Sequence, residues 1–106
     1  MIPEERVESA VWFLAGSAKE YGQARGHQAF AEANLRRVKS LQMLEEQDGS
    51  VATREARAYS SAAYKDALEI LENAVAHAET LRAQRDAAQM LIETWRSQNS
   101  TKRQGI

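Results

Sequence analysis

The feature that most constrains the fold is a regular spacing of small and apolar residues through the second half of the chain. Steps of three and four residues join Tyr64, Ala67, Leu71, Ala74, Ala78, Leu81, Arg85, Ala88, Ile92 and Trp95. This spacing follows one face of an α-helix. Leu68, Ile70 and Val75 widen the same stripe. The pattern predicts one long helix over about residues 51–98.

The first half of the chain has a comparable stripe that three glycines interrupt. It consists of Val7, Ala10, Leu14, Ala18, Tyr21, Ala24, Gln28, Ala31, Leu35, Val38 and either Leu41 or Gln42. Gly16 precedes Ser17-Ala18-Lys19-Glu20, a sequence that matches the capping box at a helix start. We therefore expect a short helix over about residues 3–15 and a long one over about residues 17–46. One continuous, kinked helix is the alternative.

Two further glycines of the first half, Gly22 and Gly26, lie four residues apart inside the predicted helix. Glycine in a helix interior costs up to about 1 kcal/mol relative to alanine. We therefore expect a packing reason for both, such as a groove where a neighbouring helix crosses closely.

The clearest interruption between the two halves is Gln47-Asp48-Gly49-Ser50, which combines residues that favour turns and helix caps. A turn there makes the chain a long antiparallel helical hairpin. The 19 alanines, the single proline and the lack of alternating polar and apolar runs favour an all-α fold.

A chain of 106 residues corresponds to one small domain, predicted here over residues 1–98 and followed by a flexible tail over residues 99–106. Alanine buries less apolar surface than leucine, so the hydrophobic core of one hairpin is thin. We therefore expect a homo-oligomer, most simply a homodimer, in which a second copy completes a helical bundle.

Composition narrows the possible environments and partners. The absence of cysteine excludes a disulfide framework and thiolate chemistry. The first residues do not resemble a signal peptide and no stretch has the length of a membrane span, so a cytoplasmic protein without a membrane partner is expected. A formal net charge of -1 argues against a mainly electrostatic nucleic-acid binder, although a local basic patch stays possible.

No arrangement of residues predicts catalysis or a metal site. Neither His27 nor His77 has a glutamate three positions before it, as helical di-metal sites require. The acidic groups near Glu4 and near Glu45 resemble the paired motifs of all-α nucleotide pyrophosphohydrolases, but they lie at opposite ends of the predicted long helix. We therefore expect a protein that is not an enzyme and has no cofactor and no metal.

Basic residues cluster near the predicted turn and at the C-terminus. The cluster near the turn comprises Arg36, Arg37, Lys39, Arg54 and Arg57, and the tail adds Lys102 and Arg103. Such groups could contact the phosphates of single-stranded DNA. Acidic residues in the same region offset much of this charge, so solvated ion pairs are the favoured interpretation.

The aromatic residues Trp12, Phe13 and Phe30 are the candidates for a protein interface. Trp12 and Phe13 are adjacent, so they cover a wider angle than one helix stripe requires, and one of the two rings is expected to point away from the hairpin. Phe30 also lies off the main stripe. An exposed tryptophan or phenylalanine often marks an interface, while burial in a three-helix bundle is the alternative.

The second half of the chain also resembles a known group of proteins. The segments that carry the resemblance are 54–59 (REARAY), Tyr64 with Leu68 and Leu71, and above all 92–97 (IETWRS). They are similar to small, uncharacterised helical proteins of tailed phages and prophages, often encoded close to recombination and single-strand-annealing genes. The resemblance covers about residues 21–103. It implies a protein of the host bacterial cytoplasm that assists phage DNA metabolism, and it brings no catalytic residue.

Together these observations favour an accessory protein that acts in phage DNA replication or recombination and binds a host or phage protein through Trp12, Phe13 and Phe30. A nucleic-acid-binding accessory that uses the basic residues near the turn is the alternative. Both hypotheses include self-association.

Overall fold

The structure is a computed structural model that describes residues 1–105, except for the side chain of Gln104. The described residues form three helices: α1 (Glu4–Glu45), α2 (Val51–Tyr59) and α3 (Ala62–Gln104). No residue from 1 to 105 lies in a strand. The all-α class and the packing of α1 against α3 are confirmed.

Helix α1 is continuous, so the predicted break before Ser17 and the separate helices over residues 3–15 and 17–46 are wrong. A capping serine accepts a hydrogen bond from the backbone, whereas the Ser17 hydroxyl donates one to the Phe13 carbonyl oxygen at 2.6 Å, inside the helix. Glu4 and Glu5 lie in the first turn, where acidic side chains are favourable. Of the alternative, one continuous and kinked helix, the continuity is confirmed.

The predicted turn at residues 47–50 is confirmed, but the single helix predicted over residues 51–98 is wrong. Ser50 caps α2 by accepting a hydrogen bond from the Thr53 N–H at 3.2 Å. Helix α2 then ends, and Ser61 caps α3 by accepting from the Tyr64 N–H at 3.2 Å. Serine side chains satisfy backbone donors that a helix start leaves free, which explains the two new beginnings.

The predicted flexible tail over residues 99–106 is also corrected, because residues 99–104 belong to α3. Lys102 and Arg103 lie in the last turn of that helix, where positive charge is favourable. Gly105 follows in a turn, and its N–H donates to the Thr101 carbonyl oxygen at 2.9 Å. Ile106, the last residue of the predicted tail, lies outside the described residues.

The helices contribute to two compact units, which are described separately. The terminal unit contains Met1–Gly22 and the part of α3 from Glu79 onward. The turn unit is Gln23–Ala78, which includes the end of α1, the turn, all of α2 and the beginning of α3. The expectation of a single domain over residues 1–98 stays a prediction.

In the terminal unit, a half-buried arginine joins α3 to α1. Arg85 Nη1 donates to the Leu14 carbonyl oxygen at 2.7 Å and to Ser17 Oγ at 2.8 Å. Its guanidinium carbon lies 5.5 Å from the centre of the Tyr21 ring. Because of these contacts, Ser17 lies on the buried face of α1. Ala18, which was predicted for the buried stripe, is exposed. Buried apolar residues of this unit are Val7, Ala10, Leu81 and Ala88.

In the turn unit, every buried side chain is alanine. The buried residues are Ala24 and Ala31 of α1, Ala58 of α2, and Ala67, Ala74 and Ala78 of α3. Larger residues of the predicted stripes, such as Leu35, Val38 and Leu71, are half-buried around them. Gln42, rather than Leu41, continues the stripe of α1. The alanine seam permits close packing but buries little apolar surface per residue.

The packing reason expected for Gly22 and Gly26 is not found. A Cβ atom built on either glycine, or on Gly16, meets no described atom within 4 Å outside its immediate helical surroundings. Gly49 differs, since its φ of +96° lies in the region that glycine tolerates best.

These environments predict opposite effects of alanine at two glycines. Gly22→Ala should raise the free energy of unfolding by about 0.5–1 kcal/mol, because alanine favours the helix and space is open. Gly49→Ala should lower it by about 1–2 kcal/mol, because a positive φ strains alanine. Urea unfolding followed by circular dichroism measures both changes. Destabilisation by Gly22→Ala would contradict the open surroundings described here.

Candidate functional site

Two of the basic residues near the turn fasten the turn and α2 to α1. Arg54 Nη2 donates to the Met43 carbonyl oxygen at 3.0 Å. Arg57 Nη1 donates to the Asp48 carbonyl oxygen at 2.9 Å and lies 3.4 Å from a carboxylate oxygen of Glu46. Both guanidinium groups therefore satisfy carbonyl oxygens at the end of a helix or in a loop, which is a structural role.

Lys39 is a third basic residue with partners inside the turn unit. Its Nζ lies 3.5 Å from a carboxylate oxygen of Glu55 and 4.8 Å from the centre of the Tyr59 ring. The Tyr59 side chain is the largest cause, and Glu55 a further one, that raises the pKa of Lys39 above its ordinary value. Tyr59 in turn packs edge-on against Tyr64, with 5.2 Å between ring centres. Lys39 thus helps to hold α2 against α1.

Arg36 and Arg37 differ from these three residues. Both are exposed, and neither makes an ion pair with any residue that the structure describes. Lys102 and Arg103 are exposed as well, but they belong to the terminal unit. Of the five basic residues predicted to act together near the turn, two are thus available to a ligand without breaking a described contact.

A groove of about 340 Å³ lies beside α2. Its lining comprises Gln42, Glu45, Glu46, Arg54, Arg57, Ser60 and Ser61. The Nε atom of Arg54 is buried and has no hydrogen-bond partner among the described residues. Two glutamates line the same groove, so the surroundings of these arginines are of mixed charge and do not favour a phosphate.

The predicted interface aromatics separate into one half-buried ring and two exposed rings. Phe13 is half-buried, whereas Trp12, its neighbour in the terminal unit, is 76% exposed. Phe30 in the turn unit is 69% exposed and lines a shallow groove of about 280 Å³ with Ala33, Asn34 and Arg37. Thus one ring of the adjacent pair does point outward, as expected, and it is Trp12.

Sequence reasoning missed further exposed apolar residues. Ile70 and Leu68 were placed on the buried stripe of α3, but they are 51% and 45% exposed. Met90 in the terminal unit is 68% exposed. A helical wheel could have shown that Ile70 and Leu68 lie on opposite edges of the alanine stripe, where a single neighbouring helix does not cover both.

Tests for other kinds of site gave no candidate within the described part of the chain. No group of three or more histidine, aspartate or glutamate residues there could hold a metal ion. Among residues 1–105 no helix is both long and apolar enough to span a membrane.

Comparisons with known proteins add no assignment. No protein-family model, curated protein or solved structure matches this chain.

Arg57 has partners within the described structure and Arg36 has no described ion pair, so substitutions of these two residues should affect stability unequally. Arg36→Gln should change the free energy of unfolding by less than about 0.5 kcal/mol, because Arg36 has no described ion-pair partner. Arg57→Gln should lower it by about 1 kcal/mol, because the Asp48 carbonyl oxygen and the Glu46 carboxylate lose their donor. Urea unfolding compares the two variants, and equal effects would contradict the structural role of Arg57.

Proposed function

We propose that this chain is a non-enzymatic binding protein that docks a protein partner through Trp12 on the outer surface of α1. The observation that supports this most strongly is the exposure of the Trp12 side chain, which is 76%. Tryptophan is among the residues most enriched at the energetic centres of protein interfaces, because it combines a large apolar area with a hydrogen-bond donor.

The helix around Trp12 leaves the indole accessible. The residues three and four positions away are Glu8, Ser9, Ala15 and Gly16, and all four are exposed. None of them is a large apolar residue that could shield the ring. A partner with an apolar pocket of indole size could therefore enclose Trp12 from several directions.

The biological setting belongs to the same proposal. The resemblance to small phage proteins supports a role as an accessory of phage DNA replication or recombination in the host cytoplasm. The partner would then be a host or phage protein of that machinery. Phe13, which was predicted together with Trp12, is half-buried and so supports the helix packing rather than the docking surface.

Nucleic-acid binding is the second candidate, and the observation that favours it is the pair of exposed arginines, Arg36 and Arg37. Arg54, Arg57 and Lys39 support it less, because they contact the protein itself. Lys102 and Arg103 are exposed in the last turn of α3 and could add contacts to phosphates. A few phosphate contacts give weak binding with a correspondingly modest dependence on salt.

Trp12→Ala tests the proposed function. It should weaken partner binding by about 2–4 kcal/mol, the loss typical of a central interface residue. Tagged wild-type chain, Trp12→Ala and the control Met90→Ala are each incubated with bacterial lysate at moderate salt. Met90 is exposed to a similar degree in the same unit. A protein retained by wild type and Met90→Ala but lost with Trp12→Ala is expected. Identical retention by all three baits would overturn the proposal.

Titration with a short single-stranded oligonucleotide tests the second candidate. If Arg36 and Arg37 contact two phosphates, binding should fall about sevenfold between 50 and 200 mM salt, and Arg36→Glu with Arg37→Glu should abolish it. Oligonucleotide binding that the double variant leaves unchanged would contradict this use of the two arginines.

A further inference from the structure

In the turn unit, α2 covers only one side of the pair formed by α1 and α3. On α1 this side is marked by Lys39, which meets Glu55, and by Met43, whose carbonyl oxygen accepts from Arg54. On α3 it is marked by Tyr64, whose ring packs against Tyr59 of α2. The opposite side of the pair has no comparable cover within the unit.

The large apolar residues Phe30, Leu41 and Ile70 lie on that uncovered side. At about 100° per residue, Phe30 and Leu41 point about 180° away from the direction of Lys39 and Met43 around α1. On α3, Leu68 follows Tyr64 by one turn and therefore lies on the side of α2. Ile70 points about 160° away from Leu68, toward the uncovered side. The exposed fractions are 69% for Phe30, 43% for Leu41 and 51% for Ile70.

Phe30 and Ile70 also lie at the same level along the two helices. Leu35 of α1 and Tyr64 of α3 line one groove, so they lie at similar levels along the two helices of the turn unit. The chain reverses direction between them, so five residues before Leu35 correspond to about five residues after Tyr64. This alignment places Phe30 opposite residues 69–70 on the neighbouring helix.

We propose that this uncovered side is the interface with a second copy of the chain, in a two-fold dimer in which α1 lies over the second copy's α3. The inference deepens the proposed function, since it assigns Phe30 to self-association and leaves Trp12 for the partner. The α1–α3 pairs of the two copies then stack face to face. Phe30 lies over the second copy's Ile70, and α2 lies on the outside of each copy.

The area available matches the lower limit for a specific dimer. The facing parts of α1 and α3 overlap over about 17 residues, or about 25 Å, and two adjacent helices span about 20 Å. Each copy would bury about 500 Å², so the pair buries about 1,000 Å², the threshold for a specific interface. The buried residues of the turn unit are all alanine, so this contact adds the large apolar side chains that the unit's interior lacks.

Charge complementarity selects the orientation. When the two-fold axis runs along the helices, each α1 meets the other copy's α3 at the same level. Arg37 then lies within about one helical turn of the second copy's Asp66. Both residues are exposed, and neither makes an ion pair with a described residue. A two-fold axis across the helices and through the middle of the overlap would instead place α1 over α1. Arg37 would then lie opposite the second copy's Gln23, so this ion pair would be absent.

Sedimentation of the full chain at several concentrations tests the interface. Wild type should show a monomer–dimer equilibrium, and Ile70→Gln should raise the dissociation constant at least tenfold. The control is Leu68→Gln, which changes a similarly exposed residue on the side of α2 and should leave the constant within about twofold. Circular dichroism checks that each variant is still helical. A wild type that is monomeric at all concentrations, or equal effects of the two variants, would overturn the proposal.

A charge exchange tests the orientation. Arg37→Asp and Asp66→Arg should each raise the dissociation constant severalfold, because like charges then face each other. The double variant with both changes should return it to within about twofold of wild type. If both single variants raise the dissociation constant and the double variant does not restore it, this orientation is overturned.

The outcomes for the dimer and for the proposed function are distinguishable. Trp12 belongs to the terminal unit, so Trp12→Ala should stay dimeric while losing the partner. A monomeric wild type that still captures a partner through Trp12 would overturn the dimer alone.

Discussion

The close packing of α1 against α3 through small side chains is the constraint on which the rest of the structure depends. In the turn unit the buried positions are all alanine, and in the terminal unit alanine alternates with Val7 and Leu81. Small residues let helices approach closely, but they remove little apolar surface from water. The larger side chains therefore lie at the edges of the seam or on outer faces, where a further protein surface can cover them.

Because the alanine seam contributes little burial, hydrogen bonds from long basic side chains have an unusually large part in joining the elements. Arg85 joins α3 to α1 in the terminal unit, and Arg54 joins α2 to the end of α1 in the turn unit. In both cases a guanidinium group donates to a backbone carbonyl oxygen. Near the turn, the donors of Arg54 that bind the protein itself are not available to a phosphate.

The spacing of residues along one helix predicts most of the fold, while contacts between helices decide what it cannot predict. The alanine positions from Ala67 to Ala88 follow from helical periodicity alone. The burial of Ser17 in place of Ala18 does not, because it depends on Arg85, which is distant in the sequence. The break at Ser61 was readable as a helix cap, but the helix-forming residues on both sides of it favoured continuity.

The candidate sites show the same limit. Arg36 and Arg57 look equivalent in the sequence, and only the contacts of Arg57 with Asp48 and Glu46 distinguish the structural residue from Arg36. Likewise, adjacent aromatic residues predict that one ring points outward, but the packing of α3 decides that it is Trp12. Exposed residues such as Ile70 become recognisable once the side covered by α2 is known.

The dependence of unfolding on protein concentration tests most directly whether a second copy completes this thin core. Urea unfolding of the wild-type chain is followed by circular dichroism over a 100-fold range of concentration, a range that corresponds to about 2.7 kcal/mol of added stability for a dimer. If a second copy completes the core, the urea midpoint rises steadily with concentration. A midpoint that stays constant over the whole range would instead show that the alanine seam is sufficient for a stable single copy.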